Sequence, residues 1–210
     1  MNLTSWLIIA GAVIVFFILV IIVLAIQYRK VGPNEALIIA GGRTRSVTTA
    51  EGTKRKVGYR YRLGGGTFVW PGLEKVFVLP MDVISMSIKT PEVLTHGGVP
   101  IMAEASAQVK VDSSDETIHL AAEQFLGIGR DGIRHVAVNV LEGKIREVIG
   151  TMTVEEIYRG RQDFSSRVTA AVREDFARMG LVMLSFSLKD ISDTQGYIDA
   201  LSKPQIAAAK

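Results

Sequence analysis

The residues able to do chemistry are few and scattered. His96, His119 and His135 are the only imidazoles. No two of them are spaced i, i+4, and none joins an Asp/Glu cluster with metal-ligand spacing. His135 reads as a solvated-face residue of a helix. Glu155-Glu156 places two carboxylates side by side, but adjacent helix residues do not share a face. A helix cap opened by Thr153 accounts for Glu156. Gly64-Gly65-Gly66-Thr67 invites comparison with a phosphate loop. Such a loop needs Lys and then Ser/Thr after its last glycine, and here Phe68 follows Thr67. A tight turn entering Phe68-Val69-Trp70 fits better. No G-x-S-x-G elbow exists. Cysteine is absent, which removes disulfides, thiolate metal sites, a Cys nucleophile and palmitoylation. Asn2 excludes an N-myristoyl group. We assign no catalytic, cofactor-binding or metal-ligating residue, and the chain is not read as an enzyme.

The remaining chemistry is charge. Residues 43–62 hold seven basic side chains, Arg43, Arg45, Lys54, Arg55, Lys56, Arg60 and Arg62, against one acid, Glu51, a net +6. Arg29 and Lys30 add +2, while the whole chain is +3. The basic character is therefore local. These nine residues are candidate contacts for anionic lipid headgroups, worth up to about 1 kcal/mol each near a surface. A solvated hairpin with ordinary surface charge explains the same residues, and the balance leans that way. Nucleic acid is not expected, since aromatic interleaving is sparse.

What would place that charge at a lipid surface lies just before it. Residues 1–28 carry no charged side chain. Trp6 to Ile26 is an uncharged, almost wholly apolar run spanning roughly 31 Å as a helix, at about 1.5 Å per residue. A hydrocarbon core is about 30 Å thick. Trp6 and Tyr28 stand at its ends, where amphipathic rings favour headgroups. A cleaved signal peptide fits badly, lacking a basic n-region and a small-x-small site. A single transmembrane anchor is expected, with Trp6 and Ile26 as its ends. Arg29 and Lys30 just after it place the following domain in the cytoplasm.

The rest of the chain must hold these groups in position. Val31-Gly32-Pro33-Asn34 reads as a turn-rich joint. A strand over Glu35–Ala40 is ended by Gly41-Gly42, and strands follow at Lys75–Leu79 and Val83–Lys89. Val99 to Val111 alternates apolar and polar residues, a half-buried strand whose alanines require close packing. Helical spacing covers 116–125, 131–149, a short piece from Thr153 to Tyr158, and 161–179, with Gly180 as a stop. Val182, Leu184, Phe186 and Leu188 alternate as a last strand. Ser192 or Asp193 starts another helix. Strands, then helices, then a returning strand describe an α+β domain.

Several strings, in order across about 31–205, resemble the flotillin branch of the SPFH (stomatin, prohibitin, flotillin, HflK/C) or band 7 superfamily, above all its bacterial flotillin-like members. They are Val31-Gly32-Pro33-Asn34-Glu35-Ala36, Gly64 to Val69 with Pro71, Thr151 to Tyr158, Arg161 to Phe164, Gly180-Leu181 and Tyr197 to Leu201. The resemblance implies a transmembrane helix and juxtamembrane residues over 1–30, and an SPFH domain over 31–191 built on a partly wrapped antiparallel sheet with packed helices. It also implies the start of a helical, coiled-coil region over 192–210, as in an N-terminal fragment. The implied function is a self-assembling scaffold of membrane microdomains at the plasma or inner membrane. Its implied partners are membrane lipids, copies of itself, an NfeD-type membrane protein and client membrane proteins. The alternative is an accessory subunit of a membrane protease or transporter.

Overall fold

The computed structural model describes residues 3–48, 54–70, 72–114, 117–198 and 200; side chains of residues 3–10, 42–48 and 54–57 lie outside the description. The chain divides into two compact units, 1–79 and 80–210.

The first unit begins with helix α1, Leu3–Gln27, which carries no charged residue. From Gly11 to Ile26 its side chains are exposed. Among the described residues no helix is long and apolar enough to cross a membrane. The described side chains of α1 start only at Gly11 and leave out Trp6, so the fold by itself does not supply the span expected from Trp6 to Ile26. No loop separates α1 from strand β1, Tyr28–Thr48, which pairs antiparallel with β2, Lys54–Phe68. With β3, Lys75–Pro80, they form a sheet of order β2-β1-β3.

Two expectations change here. Val31–Asn34 is not a joint before the first strand but an irregularity inside β1: between the pairs Val31↔Gly65 and Ala36↔Leu63, four residues of β1 face one of β2. Gly41-Gly42 does not end the strand either. It falls in a second irregularity, between Ala40↔Tyr59 and Arg45↔Val57, after which pairing resumes to Thr48↔Lys54. Turn-forming residues in a long two-stranded ribbon are absorbed as bulges, because the partner strand keeps supplying hydrogen bonds on either side. Ala36, Leu37, Ile38 and Ile39 are all buried. Leu37 and Ile39 pack with Val31, Val69 and Val76.

The second unit is a four-stranded antiparallel sheet with helices packed on it. Its strands are β4 (Ile84–Lys89), β5 (Val93–Leu94), β6 (Pro100–Val111) and β7 (Leu181–Asp193), and β6 is central. Its helices are α2 (Thr117–Phe125), α3 (Gly129–Thr151), α4 (Val154–Arg159) and α5 (Arg161–Arg178). The alternation expected along β6 is present, with Ile101, Ala103, Ala105, Ala107, Val109 and Val111 all buried. Helix α3 lies on β4 and β5, and α5 lies on β7. Helix α3 buries Ile133, Ala137, Leu141 and Ile145, one stripe at i, i+4, and α5 buries Phe164, Val168, Val172 and Phe176. The fold is α+β, with two antiparallel sheets where a single partly wrapped one was expected.

The last strand departs from its expected alternation. Leu188 is buried, but Leu184 is 48% exposed and Val182 half-buried. Pairing explains this. Between Gln108↔Ser185 and Val109↔Met183 one extra residue, Leu184, bulges out, and Lys189 does the same between Glu104↔Asp190 and Ala105↔Leu188. Each bulge reverses the parity of the inward-facing residues. Strand β7 also runs to Asp193, beyond the helix start expected there. The Asp193 carboxylate instead accepts from the backbone N–H of Tyr197 and Ile198.

Candidate functional site

The histidines stand on separate elements. His96 follows β5, and its backbone N–H donates to the Met152 carbonyl at 3.0 Å. His119 is on α2. His135 is exposed on α3, its ring 3.3 Å from the Asn139 amide. Among the described residues no group of three His, Asp or Glu could hold a metal ion. Glu156 completes a capping box: its carboxylate accepts the Thr153 N–H at 2.8 Å, and its own N–H donates to the Thr153 hydroxyl. The Thr153 N–H and hydroxyl hold its carboxyl below the ordinary range. Glu155 instead pairs with Arg159 at 3.0 Å. The glycine run 64–66 lies in β2 opposite the first bulge of β1. At Gly66 a Cβ would run into the Tyr28 ring, so this glycine makes room for a side chain.

The lipid-contact candidates separate into groups. Arg29 and Lys30 are exposed at the start of β1, directly after α1, and Arg62 is exposed on β2. Arg43 stands in the second bulge, while Arg45, Lys54, Arg55 and Lys56 stand on the paired ends of β1 and β2. The side chains of these five lie outside the described residues. Register puts Arg45 and Arg55 at positions of one parity and Lys54 and Lys56 at the other, so no single strand face collects them.

Arg60 has a different task. Its guanidinium Nη2 donates to the Phe68 carbonyl at 3.1 Å and to Glu74 Oε2 at 3.1 Å. The same Glu74 oxygen accepts the Trp70 N–H at 3.1 Å, and the Glu74 side chain is only 10% exposed. Arg60 is thus an internal fastener of the segment after β2. Glu74, Phe68, Trp70 and Leu73 were not legible as a unit in the sequence, where Trp70-Pro71-Gly72 signals only a turn. The available signal was two aromatic residues at that turn; their place beside the end of α1 comes only from the pairing of Phe68 with Tyr28.

A sequence profile of the SPFH domain / Band 7 family matches residues 29–210. The chain belongs to the SPFH/band 7 family. Its relatives include flotillins. The chain is 43% identical over 201 residues to Flotillin-like protein FloT of Bacillus subtilis, covering 94% of this chain and 39% of that protein. It is 37% identical over 180 residues to Flotillin-1 of Drosophila melanogaster (85% and 39%) and 34% identical over 180 residues to Flotillin-2 of Homo sapiens (86% and 40%). The chain therefore spans about two fifths of the length of the flotillins it matches. The matched SPFH region starts at Arg29, two residues after α1 ends.

Proposed function

We propose that this chain works as a membrane-anchored, self-assembling scaffold of the flotillin type, organising microdomains of the plasma or inner membrane and recruiting other membrane proteins. The observation that carries it is the flotillin identity, 43% across 94% of the chain. Helix α1 supports the membrane half of the reading. It has no charged residue from Leu3 to Gln27, and it passes straight into a strand whose first residue, Tyr28, is followed by the exposed pair Arg29 and Lys30. An apolar helix followed by basic residues suits a single-pass anchor with residues 31–191 in the cytoplasm. After β7 the Asp193 carboxylate accepts the Tyr197 and Ile198 N–H groups, a helical turn that suits entry into a coiled-coil region beyond the strand. The partners in this reading are anionic lipids, copies of the same chain, an NfeD-type membrane protein and client membrane proteins.

The test is native mass measurement of the full-length protein extracted in mild detergent. Large homo-oligomers are expected. Monomers alone would overturn the scaffold reading, and one stoichiometric foreign partner without self-association would replace it with an accessory subunit of a protease or transporter.

A further inference from the structure

The segment joining β2 to β3 carries large apolar side chains that the fold leaves in solvent. Phe68 is 52% exposed, Trp70 62% and Leu73 75%, while Val69 between them is buried. Single exposed apolar residues are ordinary, and only contiguous groups need a reason. This group has a defined place. Phe68 pairs in register with Tyr28, the first residue after α1, and the two rings meet edge to face at 5.3 Å. The Val69 N–H donates to the carbonyl of Gln27, the last residue of α1, at 3.2 Å. The segment is therefore tied to the end of the uncharged helix.

It is also held in one shape. The Leu73 and Glu74 N–H groups both donate to the Trp70 carbonyl, at 3.2 and 3.0 Å. The nearly buried Glu74 carboxylate binds the Trp70 N–H, and Arg60 bridges that carboxylate to the Phe68 carbonyl. Desolvating an acid to this extent is costly unless its partners compensate. What the arrangement achieves is a preformed turn with its apolar side chains outward. Aromatic residues at a helix end match the headgroup–acyl boundary, which is apolar on one side and wet on the other. Arg29 and Lys30, exposed on the adjoining residues of β1, suit the anionic headgroups just above it.

We propose that Phe68, Trp70 and Leu73 form a wedge that seats in the headgroup–acyl boundary of a bilayer beside the end of α1, with Arg60 and Glu74 as the latch that positions it. This rests on the reading of α1 as a membrane helix. It adds a second, peripheral contact made by the SPFH region itself.

The chain contains two tryptophans, Trp6 and Trp70, which separate the two claims. The full chain is reconstituted into phosphatidylcholine–phosphatidylglycerol vesicles holding lipids spin-labelled near the headgroup or near the bilayer centre. Trp6→Phe leaves Trp70 as the only reporter, and Trp70→Phe leaves Trp6. Trp70 emission should be quenched several-fold more by the headgroup-proximal label than by aqueous iodide. Adding Glu74→Gln to the Trp6→Phe chain should cut the lipid quenching of Trp70 several-fold. Adding it to the Trp70→Phe chain should leave Trp6 quenching unchanged. Trp6 quenched by lipid with Trp70 quenched only by iodide overturns the wedge while leaving the anchor intact. Trp6 untouched by lipid labels overturns the anchor reading, and the wedge with it. Lipid quenching of Trp70 that is unchanged by Glu74→Gln overturns the latch.

Discussion

Gly180 ends α5 and lets β7 begin. Its φ is +70°, and a Cβ there would come within 2.5 Å of the Thr117 carbonyl and 2.6 Å of the Ala121 nitrogen. Both neighbours are backbone of α2, which cannot swing aside as a side chain could. Gly180→Ala therefore combines left-handed backbone strain with a collision, and should destabilise the fold by about 3 kcal/mol, read as a lower urea midpoint. The capping box tests a gentler effect. Thr153→Ala should cost about 1 kcal/mol. The Glu156 carboxyl is held down by the Thr153 N–H and hydroxyl, so its charged form is the one that stabilises. Its contribution is complete above the unfolded carboxylate value of about 4.3 and is lost as pH falls through the lower folded value. The stability gap between wild type and Glu156→Gln should be present at neutral pH, shrink below that point and close in stronger acid. A gap that is constant with pH would remove the charged cap. Asp112 shows the same balance with burial involved. Desolvation pushes its carboxyl up, but hydrogen bonds from Thr117 and Ser114 and from the Ser114 and Ser113 backbone outweigh it and hold it low.

Strand β7 is the element whose pattern misleads. By spacing alone Leu184 and Leu188 are equivalent. The bulge at Leu184 makes them opposites, one exposed and one 6% exposed. Leu188→Ala should cost about 2–3 kcal/mol, while Leu184→Ser should stay within about 0.5 kcal/mol. Equal costs would mean that the pairing with β6 is wrong. The second bulge, at Lys189, sends its ammonium toward Glu104, which also pairs with Lys89 at 3.1 Å. Among the described residues β7 pairs with β6 alone, and two bulges on such a strand suit an edge that resists further strand addition.

For the whole chain, the informative quantity is where the charge sits. Residues 43–62 carry +6 in a chain of +3. If the ribbon meets an anionic bilayer, changing Arg43, Arg45, Lys54, Arg55 and Lys56 to Gln should weaken binding to anionic vesicles at least tenfold and flatten its salt dependence. The apolar contact of Phe68, Trp70 and Leu73 would survive that change, because it does not rest on Coulombic attraction. Binding that ignores both the substitutions and the salt would return the ribbon to a solvated hairpin.

Much was readable without coordinates. The absence of cysteine, the uncharged run before Tyr28, the local basic charge, the β6 alternation, the α3 and α5 stripes and the Thr153 cap each depend on neighbours a few residues away. Periodicity and capping are properties of the local chain. Tertiary structure decided the long irregular ribbon, the separation into two sheets, the parity of β7 and the use of Arg60 as a latch. Each of these depends on a partner strand or a carboxylate distant in sequence. Strand register and side-chain partners arise only when those segments meet, and a bulge of one residue changes which side chains are buried.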